Sequence, residues 1–143
     1  MNHKYTLNEP SISYSAMDDI NAYHIIKAIK NGIQFNFFEK LTANISFSLR
    51  EWACYLHLSE RSMQRYKKER GRFSASTSEK IVSIAMLNKY GVEVFGNQES
   101  FNIWLNAVNL GMGNIKPKSL LDSSFGIQMI KEELTRIEYG ILS

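Results

Sequence analysis

The stretch that decides the fold reads Ser48-Leu49-Arg50-Glu51-Trp52-Ala53-Cys54-Tyr55-Leu56-His57-Leu58-Ser59-Glu60-Arg61-Ser62-Met63-Gln64-Arg65-Tyr66. Ser48 with Glu51 three residues on is a capping box, the mark of a helix start. Leu49, Trp52, Ala53 and Leu56 follow at helical spacing as one apolar stripe. His57-Leu58 interrupts, Ser59 is a second N-cap, and Met63 and Tyr66, three apart, form the inner face of a second helix. A short helix, a tight turn and another short helix make a helix-turn-helix. Ala53 stands at the crossing, where a long side chain has no room. Many such turns carry glycine at the position of His57 because φ is positive there, and histidine tolerates that conformation better than most residues.

This phase leaves Ser59, Glu60, Arg61, Ser62, Gln64, Arg65 and Lys68 pointing outward. Arginine suits guanine edges, glutamine suits adenine, and serine suits either. Ser59, Arg61, Ser62, Gln64 and Arg65 are therefore expected to address the major groove, with Arg50, Lys67 and Lys68 on phosphates. Charge supports this. Arg61, Arg65, Lys67, Lys68, Arg70 and Arg72 against Glu69 put +5 between positions 61 and 72, whereas the whole chain carries +3. The remainder is net acidic, so one short segment makes the protein basic, as a phosphate-binding surface does. A duplex read by such modules is normally two-fold symmetric, which predicts a homodimer.

On the N-terminal side, residues 1–17 lack periodicity and read as a flexible arm. A helix is expected from Asp18 to the Asn31-Gly32 stop, with Ile25, Ile26 and Ile29 at helical spacing, and another from Gln34 to Ala43 burying Phe37, Phe38 and Leu41. On the C-terminal side, a Ser/Thr-rich link, 74–79, caps a long helix to Phe95. Gly91 inside it marks a bend or a close approach. Gly96-Asn97 ends it. A helix from Glu99 to Asn106 packs Phe101, Trp104 and Leu105, and an irregular glycine-bearing loop spans 108–118. The last helix starts near Ser123 with Ile127, Ile130, Leu134, Ile137 and Ile141 as a regular apolar seam. The expected fold is all-α with about seven helices: a DNA-binding region over 18–96 and a small C-terminal domain over 97–143.

Composition narrows the class. The chain has 143 residues, 44% hydrophobic and 22% charged, and can bury roughly two-thirds of its unfolded surface without staples. Cys54 is the one cysteine, which excludes an internal disulfide and suggests a reducing compartment. No apolar run approaches the ~18–20 residues of a membrane span, and residues 1–10 have no secretory h-region. A cytoplasmic protein is expected. His3 and His24 have no partner at metal spacing, and Cys54 with His57 supplies two ligands where zinc needs more. Gly111-Met112-Gly113 lacks the strand-to-helix context and the Lys-Ser/Thr of a nucleotide motif. No nucleophile, base and acid can be assembled, so neither an enzyme nor a metal or cofactor is expected.

Two further regions carry a resemblance. Phe101-Asn102-Ile103-Trp104-Leu105, the glycine-bearing loop, Lys116-Pro117-Lys118-Ser119-Leu120-Leu121-Asp122 and Arg136-Ile137-Glu138-Tyr139-Gly140 together resemble the toxin-binding domain of the Xre/MbcA/ParS antitoxins. In that family a Trp-Leu pair, a loop, a proline followed by Leu-Leu-Asp and a closing Arg-Ile-Glu-x-Gly recur in this order. Ser59-Glu60-Arg61-Ser62-Met63-Gln64-Arg65 is similar to the family's recognition helix. The resemblance covers about positions 32–143. It departs in the loop, where the usual Asn-Pro-x-Leu-Gly-Gly is Asn106-Ala107-Val108-Asn109-Leu110-Gly111-Met112-Gly113, without the proline and with the glycines split by Met112.

The resemblance implies a type II antitoxin that neutralises a RES-type toxin, one that consumes NAD or transfers ADP-ribose, by covering its active site. It also implies repression of its own operon through the helix-turn-helix. On this reading the toxin meets Leu120, Leu121, Arg136, Glu138, Tyr139, Gly140 and Ser143. Segment 122–143 is net acidic, so its carboxylates compete with an anionic dinucleotide for the same cations. The rival is a stand-alone repressor with a ligand-sensing C-terminal domain, which shares the helix-turn-helix and differs in what the C-terminal domain binds.

Overall fold

The computed structural model describes residues 22–140. It is all-α, with seven α-helices among those residues: α1 (Ala22–Asn31), α2 (Phe35–Leu41), α3 (Leu49–Leu56), α4 (Glu60–Glu69), α5 (Ala75–Phe95), α6 (Gln98–Asn106) and α7 (Ser124–Glu138). Extended pairing among them is limited to two isolated bridges, Gln34 with Arg72 and Asn109 with Ile115. The expected arm, the expected helix start at Asp18, Ile141 and Ser143 lie outside the described residues.

In the first unit the helices are cut to length by local chemistry. Gly32 ends α1 with φ +80°, and Thr42 closes α2 by donating its hydroxyl to the Phe38 carbonyl at 2.7 Å. The segment after Gly32 is then strapped to the far end of α4: Phe35 N–H donates to the Gly71 carbonyl and Phe73 N–H to the Ile33 carbonyl, both at 2.9 Å. Ile33 N–H donates to the buried Ser78 Oγ at 2.9 Å, satisfying a backbone group that would otherwise be orphaned in the core. Around this strap Phe38 packs edge-on against Trp52 and Phe73, with ring centroids 5.2 and 5.5 Å away. Such aromatic pairs add about 0.5–1.5 kcal/mol each beyond the area they bury.

The compact units divide between Ala85 and Met86, inside α5. The reason lies at two positions. A Cβ on Gly91 would enter the Phe101 ring, so glycine is what lets α6 approach α5. Asn88, buried, exchanges two amide hydrogen bonds with Gln98 at 3.0 and 2.8 Å. The close approach expected at Gly91 is therefore present, and it commits the second half of α5 to the C-terminal unit.

The rest of that unit is held by turns. Asn109 organises the loop: its N–H donates to the Ile115 carbonyl at 2.8 Å, and its Oδ1 accepts from Met112 N–H at 3.1 Å over a 3₁₀ turn (Leu110–Met112). Met112 between the two glycines is buried, so the residue that splits them fills core. Pro117 opens a second 3₁₀ turn (Pro117–Leu120), and Ser123 caps α7 by accepting from Gly126 N–H at 2.9 Å. A Cβ on Gly126 would meet the Leu120 carbonyl, which makes this a second glycine-dependent approach. Ile127, Ile130 and Leu134 are buried as the seam requires, but Ile137 is exposed. The seam stops one turn early.

Candidate functional site

The helix-turn-helix forms as its residues demand. Ser48 Oγ accepts from Glu51 N–H and Glu51 Oε1 accepts from Ser48 N–H, each at 3.0 Å, closing the capping box. His57 adopts φ 59°, ψ 38°, and Leu58 N–H donates to the Ala53 carbonyl at 2.9 Å, so the turn is left-handed at the position where glycine is usual. Ala53 is buried, as the crossing needs. Ser59 caps α4 by accepting from Ser62 N–H at 3.0 Å and donates its hydroxyl to Ser62 Oγ at 3.0 Å. Ser59 is thus first a cap, while the Ser62 hydroxyl keeps its own proton to donate.

Met63 is wholly buried, and Tyr66 lies against Phe73 with ring centroids 4.6 Å apart. Pinned by these two, α4 presents Arg61, Gln64, Arg65 and Lys68 on one exposed face, with Lys67 exposed beside them. Arg50 is exposed at the second residue of α3, close to that helix's partly positive N-terminus. The guanidinium of Arg65 sits 5.7 Å from the Tyr66 ring. The basic segment divides in two. Arg70 donates to Glu39 Oε1 at 2.7 Å and to Asn36 Oδ1 at 3.2 Å, and Arg72 donates to the Gly32 carbonyl. Among the described residues, Arg61, Arg65, Lys67 and Lys68 make no ion pair, so those four supply the outward positive charge.

The C-terminal residues are less uniform than their motif. Leu121 is 1% exposed and belongs to the core of its own unit, so it supports a contact surface without forming it. Leu120 is half-buried. Arg136 donates from Nε and Nη2 to Oε1 of Glu133, at 3.0 and 2.8 Å, and thereby neutralises a buried carboxylate. Glu138 Oε1 accepts from the Tyr90 hydroxyl at 2.7 Å, and the carboxylate beside it pushes the Tyr90 phenol above its ordinary pKa. Two of the acids counted in this segment are therefore engaged internally. Tyr139 is 71% exposed, and Gly140, with φ +70°, turns the chain out of α7.

Other exposed apolar residues were not foreseen: Phe125 (78% exposed), Leu110 (82%) and Ile103 (64%). Phe125 had a signal, since it follows the capping serines and falls outside the 127-130-134 phase. Leu110 had none, because a turn has no period. Among the described residues no cluster of three or more His, Cys, Asp or Glu could hold a metal ion, and no helix is long and apolar enough to cross a membrane.

Comparison with known proteins follows the same division. Residues 24–86 match the antitoxin Xre-like helix-turn-helix domain, and residues 91–140 match the antitoxin Xre/MbcA/ParS C-terminal toxin-binding domain. The chain belongs to the Xre/MbcA/ParS antitoxin family. It is similar to a protein named Antitoxin Xre from Photorhabdus laumondii, 24% identical over 84% of this chain and 82% of the relative. A second Antitoxin Xre, from Yersinia enterocolitica, is 25% identical over 83% and 81%. The family's helix-turn-helix match contains the capping box, the His57 turn and α4. Its toxin-binding match contains Gly91, both 3₁₀ turns and α7 up to Gly140.

Proposed function

We propose that this chain is the antitoxin of a type II toxin–antitoxin system, binding a partner toxin through its C-terminal unit and operator DNA through α4. The observation that carries this reading is the ordered pair of family matches, each laid over a unit whose surface suits it. In the finer reading the toxin is of the RES type, consuming NAD or transferring ADP-ribose, and is silenced by occlusion of its active site. The antitoxin represses its own operon as a homodimer in the cytoplasm and has no catalytic role. Exposed Tyr139 with Arg136, Glu138, Gly140 and Ser143 supplies the toxin contact, on a scaffold made by Leu120 and Leu121. Aromatic and arginine anchors of this sort dominate interface energies.

Co-expression with the product of the adjacent reading frame tests the first half. That product should halt growth alone, be rescued by this chain and co-purify with it at fixed stoichiometry. A chain that neither rescues growth nor binds that product reduces the reading to that of a plain DNA-binding regulator.

Binding to a duplex from upstream of its own coding frame tests the second half. Arg65→Ala should cost about 1–3 kcal/mol on that duplex and little on random sequence, because a base-edge contact is specific. Lys67→Ala should weaken both alike and lower the salt slope by about one. An Arg65→Ala loss equal on every sequence would make Arg65 a phosphate contact.

A further inference from the structure

Arg70 sits where an arginine is least expected. It is the C-cap of α4 with φ 55° and ψ 40°, the left-handed region that glycine normally fills, and a side chain there costs about 1 kcal/mol. Something must hold it, and three groups do. One guanidinium nitrogen donates to Glu39 Oε1 at 2.7 Å and to Asn36 Oδ1 at 3.2 Å, and the guanidinium carbon lies 5.4 Å from the Phe35 ring centroid. All three partners lie on α2. The backbone repeats the link one residue on, where the Gly71 carbonyl accepts from Phe35 N–H. The last turn of α4, which carries Lys67 and Lys68, is thus tied to α2 at the residue that ends it.

Glu39 is the informative member. Its carboxylate lies beside the end of a helix whose exposed charges are mostly positive, Arg61, Arg65, Lys67 and Lys68 against Glu60 and Glu69. Toward a phosphate backbone a carboxylate in that place is repulsive, so it has no use as a contact. Its use is the arginine. We propose that Arg70 and Glu39 form a positioning pair for the recognition helix, fixing the end of α4 so that its lysines meet phosphates, with Arg70 itself making no phosphate contact. This rests on the DNA-binding half of the proposed function.

Pure electrostatics and positioning predict opposite signs. Glu39→Gln deletes a negative charge near the duplex, which by electrostatics alone raises affinity. If the pair positions α4, Glu39→Gln instead lowers affinity for the upstream duplex about three- to tenfold, the scale of one ordinary net hydrogen bond. Arg70→Ala lowers it by a similar factor while leaving the salt slope of binding unchanged, whereas loss of a phosphate contact reduces that slope by about one. The double variant should bind no worse than Arg70→Ala, since both remove the same pair. Side chains this exposed contribute little to global stability, so thermal midpoints should scarcely move and the variants should remain folded. Amide exchange at Arg70 and Gly71, whose N–H groups donate to the Tyr66 carbonyl, should accelerate in Glu39→Gln. Tighter binding by Glu39→Gln, or a slope that falls by one in Arg70→Ala, overturns the proposal. A wild-type chain that binds no duplex, specific or random, removes the DNA-binding reading itself; tighter Glu39→Gln on a wild type that does bind removes the pair alone.

Discussion

Gly32→Ala should lower the stability of the first unit by about 2–4 kcal/mol, although it adds a single methyl group. Two penalties add at this position. The backbone stands at φ +80°, where an L side chain costs roughly 1 kcal/mol. A Cβ would also run into the Phe73 carbonyl, and forcing such an overlap typically costs about 1–3 kcal/mol in backbone shifts. Phe73 cannot retreat freely. Its N–H is bonded to the Ile33 carbonyl, and its ring is wedged against Phe35, Phe38 and Tyr66. Chemical denaturation should show a lower midpoint with an unchanged slope, and duplex binding should fall with it. Gly96→Ala is the matched control: φ is +93°, but a Cβ there meets nothing within 4 Å, so only the conformational penalty remains. Equal costs at the two positions would mean that the close approach to Phe73 is not what requires glycine at 32.

How far the sequence could be read depended on how local each cause was. The capping box at Ser48, the left-handed His57 and the close approach at Gly91 are set by a residue and its near neighbours, and all three were legible. Arg70 and Arg72 were not. In sequence they are two more cations in a basic run, and only folding brings α2 and Gly32 within reach of their guanidinium groups. Leu120 and Leu121 show the same limit at short range. They are adjacent in a 3₁₀ turn and the bend after it, where no helical or strand period tells which side faces in, and one is core while the other is half-buried. Glu133 and Glu138 read as surface acids until Arg136 and Tyr90 are found beside them. Ownership of α5 is set in the same way: a stop signal ends a helix, but which unit a helix joins depends on partners such as Phe101 and Gln98.

Removing the residues after Glu138 should abolish neutralisation of the partner toxin while leaving the fold and duplex binding intact. The cut must fall there and not earlier. Ending the chain before Arg136 would remove the guanidinium that bonds the buried Glu133 carboxylate, and taking one partner from a buried ion pair is destabilising. Ending it after Glu138 keeps that pair, keeps the Tyr90 hydroxyl on Glu138, and keeps the buried face of α7, whose last wholly buried residue is Leu134. What is lost is Tyr139, the largest exposed side chain in the closing motif, with Gly140 and everything beyond it. A central aromatic anchor alone is worth about 2–4 kcal/mol at an interface, so affinity for the toxin should fall by at least about 30-fold. Tyr139→Ala should reproduce much of this loss, and Tyr139→Phe little, because the payload of such an anchor is mostly its ring. The thermal midpoint of the shortened chain should stay within a few degrees of the intact one, which separates lost contact from lost fold. A shortened chain that still co-purifies with the toxin and rescues growth would place the contact elsewhere on the unit. Exposed Phe125 and Leu110 would then be the next residues to truncate, since no internal packing accounts for them.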